Sequence, residues 1–540
     1  MKNRYALRVV ICVMALFFIQ MVDAQPKITS VTPGSGTPGK LVIINGTGFN
    51  ATPAQDKVYF GSVAVSVISA STTSLTVSAP PQATYSPISV TTGGLTAYSP
   101  LPFVVTFNPF DTLTTGSFGN RQQPLMPSGP QASAIFDVDG DGKPDVVTIS
   151  FSGNRLSILP NTSSSGSISF GARIDTVTGN NPQEIAIADI DGDGKLDVVY
   201  VDFGDGTVSV FRNTSTPGNI SFAPRVFFTA GNEPTGVAVG DLDGDGKPDV
   251  VVANTGSGNV MIFHNTSTAG TISFAAPITI SNLPNPGLPH SVAIGDLDGD
   301  GLVDIAVTNV DQREVSILQN VSTPGTIAVT KAAALQLMPD SLHAPEFVTM
   351  GDIDGDGKLD LVVSDTASSV FVLRNIGSGA GNFSFAPLVR YFKGQGVGAV
   401  TVADLDGDGR PDIAAGNSAD NTVSIFKNLS PLGGVSFAPK VDIPMGAYPI
   451  RIAAGDIDGD GHPDLVVPDY QGGSIDVYRN QSANGWVNVN FALFLQGCYV
   501  TGADTMLLTL RKTAGFISHF ASVPVPARAV DSITIELRDK

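Results

Sequence analysis

Cysteine is almost missing from this chain: Cys12 and Cys498 are the only two. Cys12 lies in an N-terminal stretch that reads as a secretory signal, so an exported protein would keep one thiol and no internal disulfide. Something else must then rigidify its loops. Tryptophan is scarcer still, with Trp486 alone, which excludes a sugar-binding platform built on repeated tryptophans and leaves that role to tyrosine and phenylalanine. Positive charge is also short, at 30 Lys and Arg against 49 Asp and Glu, for a formal net charge of −19. That balance excludes a nucleic-acid backbone or an anionic membrane surface as the main partner. After residue 24 no apolar run reaches membrane-spanning length, so no transmembrane segment is expected in the mature chain. Helical periodicity of useful length is absent as well, which counts against an α/β sheet or barrel.

Glycine and proline are plentiful instead, at 59 and 37 of 540 residues with no collagen period, as in turn-rich β proteins. At the N-terminus, Lys2, Arg4 and Arg8 precede the apolar stretch Val9 to Met21, and Val22-Asp23-Ala24 suits cleavage before Gln25. Residues 1–24 are therefore expected to be a signal peptide and the protein secreted, extracellular or cell-surface.

The dominant feature is a repeat. The pattern Asp-x-Asp-Gly-Asp-Gly-x-x-Asp begins at Asp137, Asp189, Asp241, Asp296, Asp352, Asp404 and Asp456, at intervals of 52, 52, 55, 56, 52 and 52 residues. An apolar strand such as Glu184 to Ala188 enters each loop and a second such as Asp197 to Tyr200 leaves it. An alternating strand such as Val208 to Asn213 follows, and a fourth extended run comes after Ser221-Phe222-Ala223-Pro224. Four short strands per repeat predict a propeller blade. A strand near residues 115–125, preceded by no loop of its own, is expected to complete the last blade and close the ring, with an open solenoid as the rival. The predicted fold class is all-β: a seven-bladed beta-propeller over 107–490, preceded at 25–106 by an immunoglobulin-like beta-sandwich and followed at 491–540 by a short β-rich tail.

The loops carry the chemistry. Aspartates at positions one, three, five and nine, with the carbonyl of position seven, turn oxygen donors toward one centre, and four carboxylates so close repel unless a cation sits among them. Oxygen-only donors on a flexible loop suit Ca²⁺ better than Mg²⁺, and zinc is disfavoured because no cysteine joins any cluster. The candidate ligands are Asp137, Asp139, Asp141, Lys143 and Asp145 in the first loop; Asp189, Asp191, Asp193, Lys195 and Asp197 in the second; and Asp241, Asp243, Asp245, Lys247 and Asp249 in the third. The fourth offers Asp296, Asp298, Asp300, Leu302 and Asp304, and the fifth Asp352, Asp354, Asp356, Lys358 and Asp360. The sixth offers Asp404, Asp406, Asp408, Arg410 and Asp412, and the seventh Asp456, Asp458, Asp460, His462 and Asp464. In each loop the seventh-position residue is named for its carbonyl. These are not EF-hands: position twelve is Thr148, Tyr200, Val252, Val307, Val363, Ala415 or Val467, never a bidentate glutamate. The loops hold 28 of the 49 acidic residues, so much of the acidity is ligand inventory. About seven structural Ca²⁺ are expected, as staples and not reagents.

At these loops, with the Phe-Ala-Pro and Asp-Val-Val elements beside them, the sequence resembles the FG-GAP/VCBS repeat family, the integrin-alpha-like propeller, from about 115 to 490. The resemblance implies a seven-bladed ring with one Ca²⁺ loop per blade and surface roles in adhesion or ligand binding. Residues 26–106 resemble an IPT/TIG domain through Ile28-x-x-Val31-x-Pro33, Gly36-Thr37-x-Gly39, Ile44-x-Gly46-x-Gly48-Phe49 and Val58-x-Phe60-Gly61. The tail resembles the start of a β-rich module of large exported proteins from Bacteroidetes-type bacteria, through Leu493-Phe494-Leu495-Gln496-Gly497 and Ile535-Glu536-Leu537-Arg538-Asp539, and is expected to be a truncated module.

Catalytic residues do not stand out: there is no Gly-x-Ser-x-Gly elbow, phosphate loop or His-Glu-x-x-His run. His264 and His462 read as surface substitutions, His290 and His343 as rim positions, and His519 as a surface residue of the tail. The asparagines ending one strand per repeat (Asn161, Asn213, Asn265, Asn320, Asn375, Asn428 and Asn480) read as turn formers rather than glycosylation sites. Arg212 and Lys427 beside them would line one face. The expected function is a calcium-stabilised binding or adhesion protein that recognises an extracellular glycan or protein through its loops. The alternatives are an enzyme or accessory subunit of extracellular polysaccharide processing, and a plain structural spacer. The longer insertions, Asn282 to Pro286 and Met338 to Asp340, are the first choice for a ligand face.

Overall fold

The computed structural model describes residues 25–107, 113–281, 283, 287–337 and 344–481. The expected signal at 1–24, the tail at 491–540, Cys498, Trp486, His343, His519 and most of the longer insertions lie outside them.

The N-terminal part is a β-sandwich. Lys27–Thr32, Leu41–Thr47, Ser74–Ser78 and Ser69–Ala70 form one sheet, and Val63–Val65, Asp56–Phe60, Pro87–Thr92 and Leu95–Pro102 form the other. Alternation in Leu41–Thr47 sends Val42 and Ile44 inward and leaves Leu41 and Ile43 exposed. The inward residues meet Val58, Phe60, Leu75, Val77, Ile88 and Val90 in one core.

The repeats then give seven sheets of four antiparallel strands. In the second sheet these are Pro182–Ala188, Asp197–Asp202, Thr207–Phe211 and Val226–Thr229. In every sheet the second strand starts at the ninth loop aspartate and is buried along its whole length. Its Val/Ile/Ala runs suit a strand covered on both faces. Val199, Val201, Val208 and Val210 of the second sheet pack with Val250, Val252 and Phe263 of the third. Successive sheets therefore meet through side chains, and no hydrogen-bonded ladder passes between them among the described residues.

The closed seven-bladed propeller expected from the repeats is corrected accordingly. Strand pairing gives seven open four-stranded sheets in tandem, because each ladder ends at an outer strand whose other edge bonds to no further strand. Phe118–Gln122 pairs with Ser474–Asn480 as the outer strand of the seventh sheet, Phe118 opposite Asn480.

All seven aspartate loops lie at one end of the sheets, between first and second strands. The turns between second and third strands lie at the other. The sandwich covers the loop end. Tyr59 Oη donates to the Gly194 carbonyl at 2.7 Å, Ser62 Oγ to Ile135 at 2.7 Å, and the Thr96 amide to Gly246 at 2.6 Å. Tyr85 Oη accepts from the Asp352 amide at 3.3 Å, and Phe107 meets the His462 ring edge-on at 4.2 Å. Gly192, at φ +72°, is pressed so close that a Cβ there would stand 2.4 Å from the Gly94 carbonyl oxygen.

The strand-ending asparagines tie the sheets together. Asn265 is 1% exposed; its side-chain amide donates to Pro248 of its own loop and to Ile190 of the preceding one, both at 2.9 Å. Its side-chain oxygen accepts the Ser267 amide at 2.8 Å, the expected turn, so the turn is one part of a larger clamp. Asn265→Ala leaves several buried groups unpaired and is expected to lower stability by about 2–4 kcal/mol in denaturant unfolding. A loss within ~0.5 kcal/mol, the usual range for a surface change, would show that the clamp carries no weight.

Candidate metal centres

Each loop is folded by its own carboxylates. In the first, Asp137 accepts the amides of Gly140, Asp141 and Gly142, and Asp141 accepts that of Lys143. Gly140 and Gly142 sit at φ +77° and +88°, conformations that bend the loop back over Asp137. The ninth-position aspartate looks both ways. Asp145 accepts the Val138 amide at 3.0 Å on one oxygen and the Asn161 amide at 2.7 Å on the other. The same two bonds recur at Asp197, Asp249, Asp304, Asp360, Asp412 and Asp464.

Several acidic and histidine clusters have the arrangement needed to hold a divalent cation. Carboxylate oxygens of Asp137, Asp139 and Asp145 all lie within 4.8 Å of one another, as do those of Asp189, Asp191 and Asp197, of Asp241, Asp243 and Asp249, and of Asp296, Asp298 and Asp300. Asp243, Asp245 and His264 meet the same limit. The donor set fits a hard cation: it is dominated by oxygen, and Asp189 Oδ1 and Asp352 Oδ1 are buried with no hydrogen-bond donor. Burial pushes the first- and ninth-position carboxyls upward, with their aspartate neighbours adding to the shift and backbone amides opposing it. Asp145, Asp189, Asp241, Asp304, Asp360 and Asp404 rise to about 7, and Asp249 and Asp456 to about 8.

The residue before each clamp asparagine also faces the loop. Arg212 stands 3.8 Å from Asp191, His264 3.1 Å from Asp243, Arg374 3.3 Å from Asp354 and Arg479 2.5 Å from Asp458; Lys427 pairs with Asp406. Gln319 donates to Asp298 at 3.3 Å. Arg212 and Lys427 thus serve the loops rather than an open face, and His264 is no plain surface substitution. His462 is also half-buried, against Phe107 and Asp460. The seventh-position side chains have a place of their own: Lys143, Lys195, Lys247 and Lys358 each donate to the loop after the third strand, at 2.7–3.0 Å. The register of these positions one residue before each asparagine was the available signal.

A proton and a divalent cation would compete for these carboxylates. An aspartate has a pKa of about 4 when unfolded, below the raised values in the fold, so between about pH 4 and pH 8 the metal-free fold binds more protons than the unfolded chain. Stability that is present at low pH is therefore lost as pH rises through the folded values. Chelated protein should melt at lower temperature at pH 8 than at pH 5.5, and any gain on adding a divalent cation should grow over that window. A chelated protein that gains stability toward pH 8 would contradict this.

Comparison with known families is consistent with these elements. A model described as FG-GAP-like repeat matches residues 137–200, 189–252, 241–307, 352–415 and 404–467, together more than half of the chain. A model described as IPT/TIG domain matches 26–105. No curated protein matches. Among solved structures, an auxiliary nutrient binding protein from Bacteroides thetaiotaomicron is similar at 12% identity and a TM-score of 0.35, over 85% of this chain and 98% of that one. An auxiliary nutrient binding protein from Bacteroides ovatus is similar at 12% identity and 0.34, over 84% and 97%. A protein from Lactobacillus plantarum is similar at 13% and 0.41, over 72% and 97%. With five matches laid along its aspartate loops over more than half its length, the chain belongs to the FG-GAP-like repeat family.

Proposed function

We propose that this is a secreted or cell-surface binding protein whose repeat body is stapled by about seven Ca²⁺, one per loop, and which recognises an extracellular glycan or protein. In each loop the aspartates at positions one, three, five and nine and the carbonyl at position seven would hold the ion. The observation that carries the reading is the convergence of buried, mutually repelling carboxylates at the ends of the sheets. Such an arrangement is costly without a cation and stabilising with one. The described residues hold no cysteine, so ions take the part that disulfides play in many exported proteins. No helix among the described residues is long and apolar enough to cross a membrane.

With the sandwich over the loop end, the turn end is left to meet a ligand, and the binding loops expected from the sequence are best sought there. Elemental analysis of the purified chain should find about seven calcium ions. Each saturated site contributes about 2.7 kcal/mol at a hundredfold excess over its Kd, so chelation should lower the melting temperature by ~10 °C or more. Asp245→Asn should remove about one ion. A metal-free protein that melts at the same temperature as the loaded one would sink the staple reading, and failure to retain any glycan or protein on arrays would sink the binding reading.

A further inference from the structure

The residue before each clamp asparagine reaches across to the third- and fifth-position aspartates of its loop. Arg212 stands 3.8 Å from Asp191 and 3.7 Å from Asp193. Arg479 pairs with Asp458 and Asp460, and Lys427 with Asp406 and Asp408. Each of them sets a fixed cation beside two carboxylates. The third repeat has His264 in that register, and no other repeat has a histidine there. A neutral imidazole offers a nitrogen lone pair, so where sister repeats bring a charge the third brings a ligand for one.

His264 Nε2 is 3.1 Å from Asp243 Oδ2 and 3.5 Å from Asp245 Oδ2. The donor atoms of the three side chains all lie within 4.8 Å of one another. In a tetrahedral zinc site with bonds of about 2.0–2.1 Å, neighbouring donors stand about 3.3 Å apart. The two histidine distances bracket that spacing, so the place for an ion is the gap among the three atoms themselves.

The contacts do not satisfy these atoms as they stand. Asp243 is wholly buried, and its Oδ2 and His264 Nε2 both lack a well-formed hydrogen bond. The Gly325 amide of the next repeat approaches Asp243 without meeting that oxygen squarely. Buried polar atoms left in this way are costly, and a cation among them removes the cost. The opposite oxygens are already engaged: Asp243 Oδ1 accepts the Asp245 amide at 3.0 Å, and Asp245 Oδ1 that of Lys247 at 2.9 Å. The loop therefore keeps its own turn while one oxygen of each carboxylate faces the histidine. The side chains of His264 and Asp245 are 20% and 22% exposed, which gives an ion and a water a way in from that side.

We propose that the third loop carries one zinc site, formed by His264 Nε2 and one oxygen each of Asp243 and Asp245, with water as the fourth ligand. The proposal rests on the reading of the loops as cation sites and gives this one an ion of a different class. Oxygen donors alone suit a hard cation, whereas an imidazole nitrogen among them favours a transition ion of the zinc type. The loop's own residues supply no such nitrogen; it arrives from the end of the third strand.

Calorimetric titration of the untagged, calcium-loaded full chain with Zn²⁺ tests this. One Zn²⁺ per chain should bind, and excess Ca²⁺ should not displace it. Even an outer partner of a metal ligand is worth about 10–100-fold in affinity, so His264→Gln should weaken that step by about a hundredfold. His264→Arg, which adds a fixed charge, should abolish it. Both variants place at 264 a residue that a sister repeat already carries, as at Gln319 and Arg212, and a melting curve in calcium checks that each folds. No saturable zinc step in the parent, or the same step in both variants, overturns the zinc site and leaves the calcium reading intact. A zinc step that His264→Gln weakens in a chain found to hold no calcium upholds the site and overturns the calcium staples instead.

Discussion

The structure depends on one buried pair, the ninth loop aspartate and the asparagine that ends the third strand. Asp197 accepts the Ile190 amide on one oxygen and the Asn213 amide on the other. Ile190 then gives its carbonyl to Asn265 of the next sheet, whose amide goes to Asp249. The same relay runs from Asp249 through Leu242 to Asn320, and through Leu297, Ile353 and Leu405 to Asn375, Asn428 and Asn480. Asn161 makes the matching bond to Ile457. Hydrogen bonds in such a series polarise one another in a low-dielectric interior. A charge at any one carboxylate is therefore felt by its neighbours.

The relay explains why the loops resemble each other so closely. A loop side chain here serves its own turn, its own sheet and the adjoining sheet at once. Asp139 accepts the Gly218 amide at 2.8 Å, Asp191 that of Gly270 at 2.7 Å, and Asp298 that of Gly381 at 2.6 Å, each glycine belonging to a later repeat. A substitution at any of them disturbs two sheets. The sandwich adds a further constraint by resting on the same loops through Tyr59, Tyr85 and Thr96. Freedom to diverge is left at the far end, where Glu184, His290 and Glu346 stand near the starts of their first strands.

The strands and loops were legible because their signals are local. Seven aspartate patterns at near-constant spacing, each followed by a run such as Asp249-Val250-Val251-Val252, give the clustered loop carboxylates, the buried second strand and the repeat length directly. The sandwich was equally plain in Val42, Ile44, Val58 and Phe60. What sequence could not give was which distant residues meet. Asn213 read as a turn former, and it is one, but its bond to Val138 crosses 75 positions. His290 read as a rim residue because its partner Glu346 lies in another repeat. The closed propeller was inferred from four strands per repeat and a strand near 115–125, yet strand pairing gives open four-stranded sheets in tandem, and their relation is set by side chains that periodicity does not describe.

The same relay makes the seven loops unequal in charge. Five carry a cation or a histidine beside their third-position aspartate, at Arg212, His264, Arg374, Lys427 and Arg479. The fourth has neutral Gln319, and the first has Pro160 in the same register, which supplies neither charge nor donor. Fixed cations partly offset carboxylate repulsion and would leave a loop less dependent on metal, whereas the first and fourth lack that offset at the third-position aspartate. Those two have the most to gain from a divalent ion and lose the most without one. Asp145 and Asp304 hold the same two relay bonds as their counterparts, so the gain or loss of a cation there would be passed on through Val138 to Asn213 and through Leu297 to Asn375. The least neutralised loops are thus the points at which a bound cation would most strongly govern the cohesion of adjoining sheets.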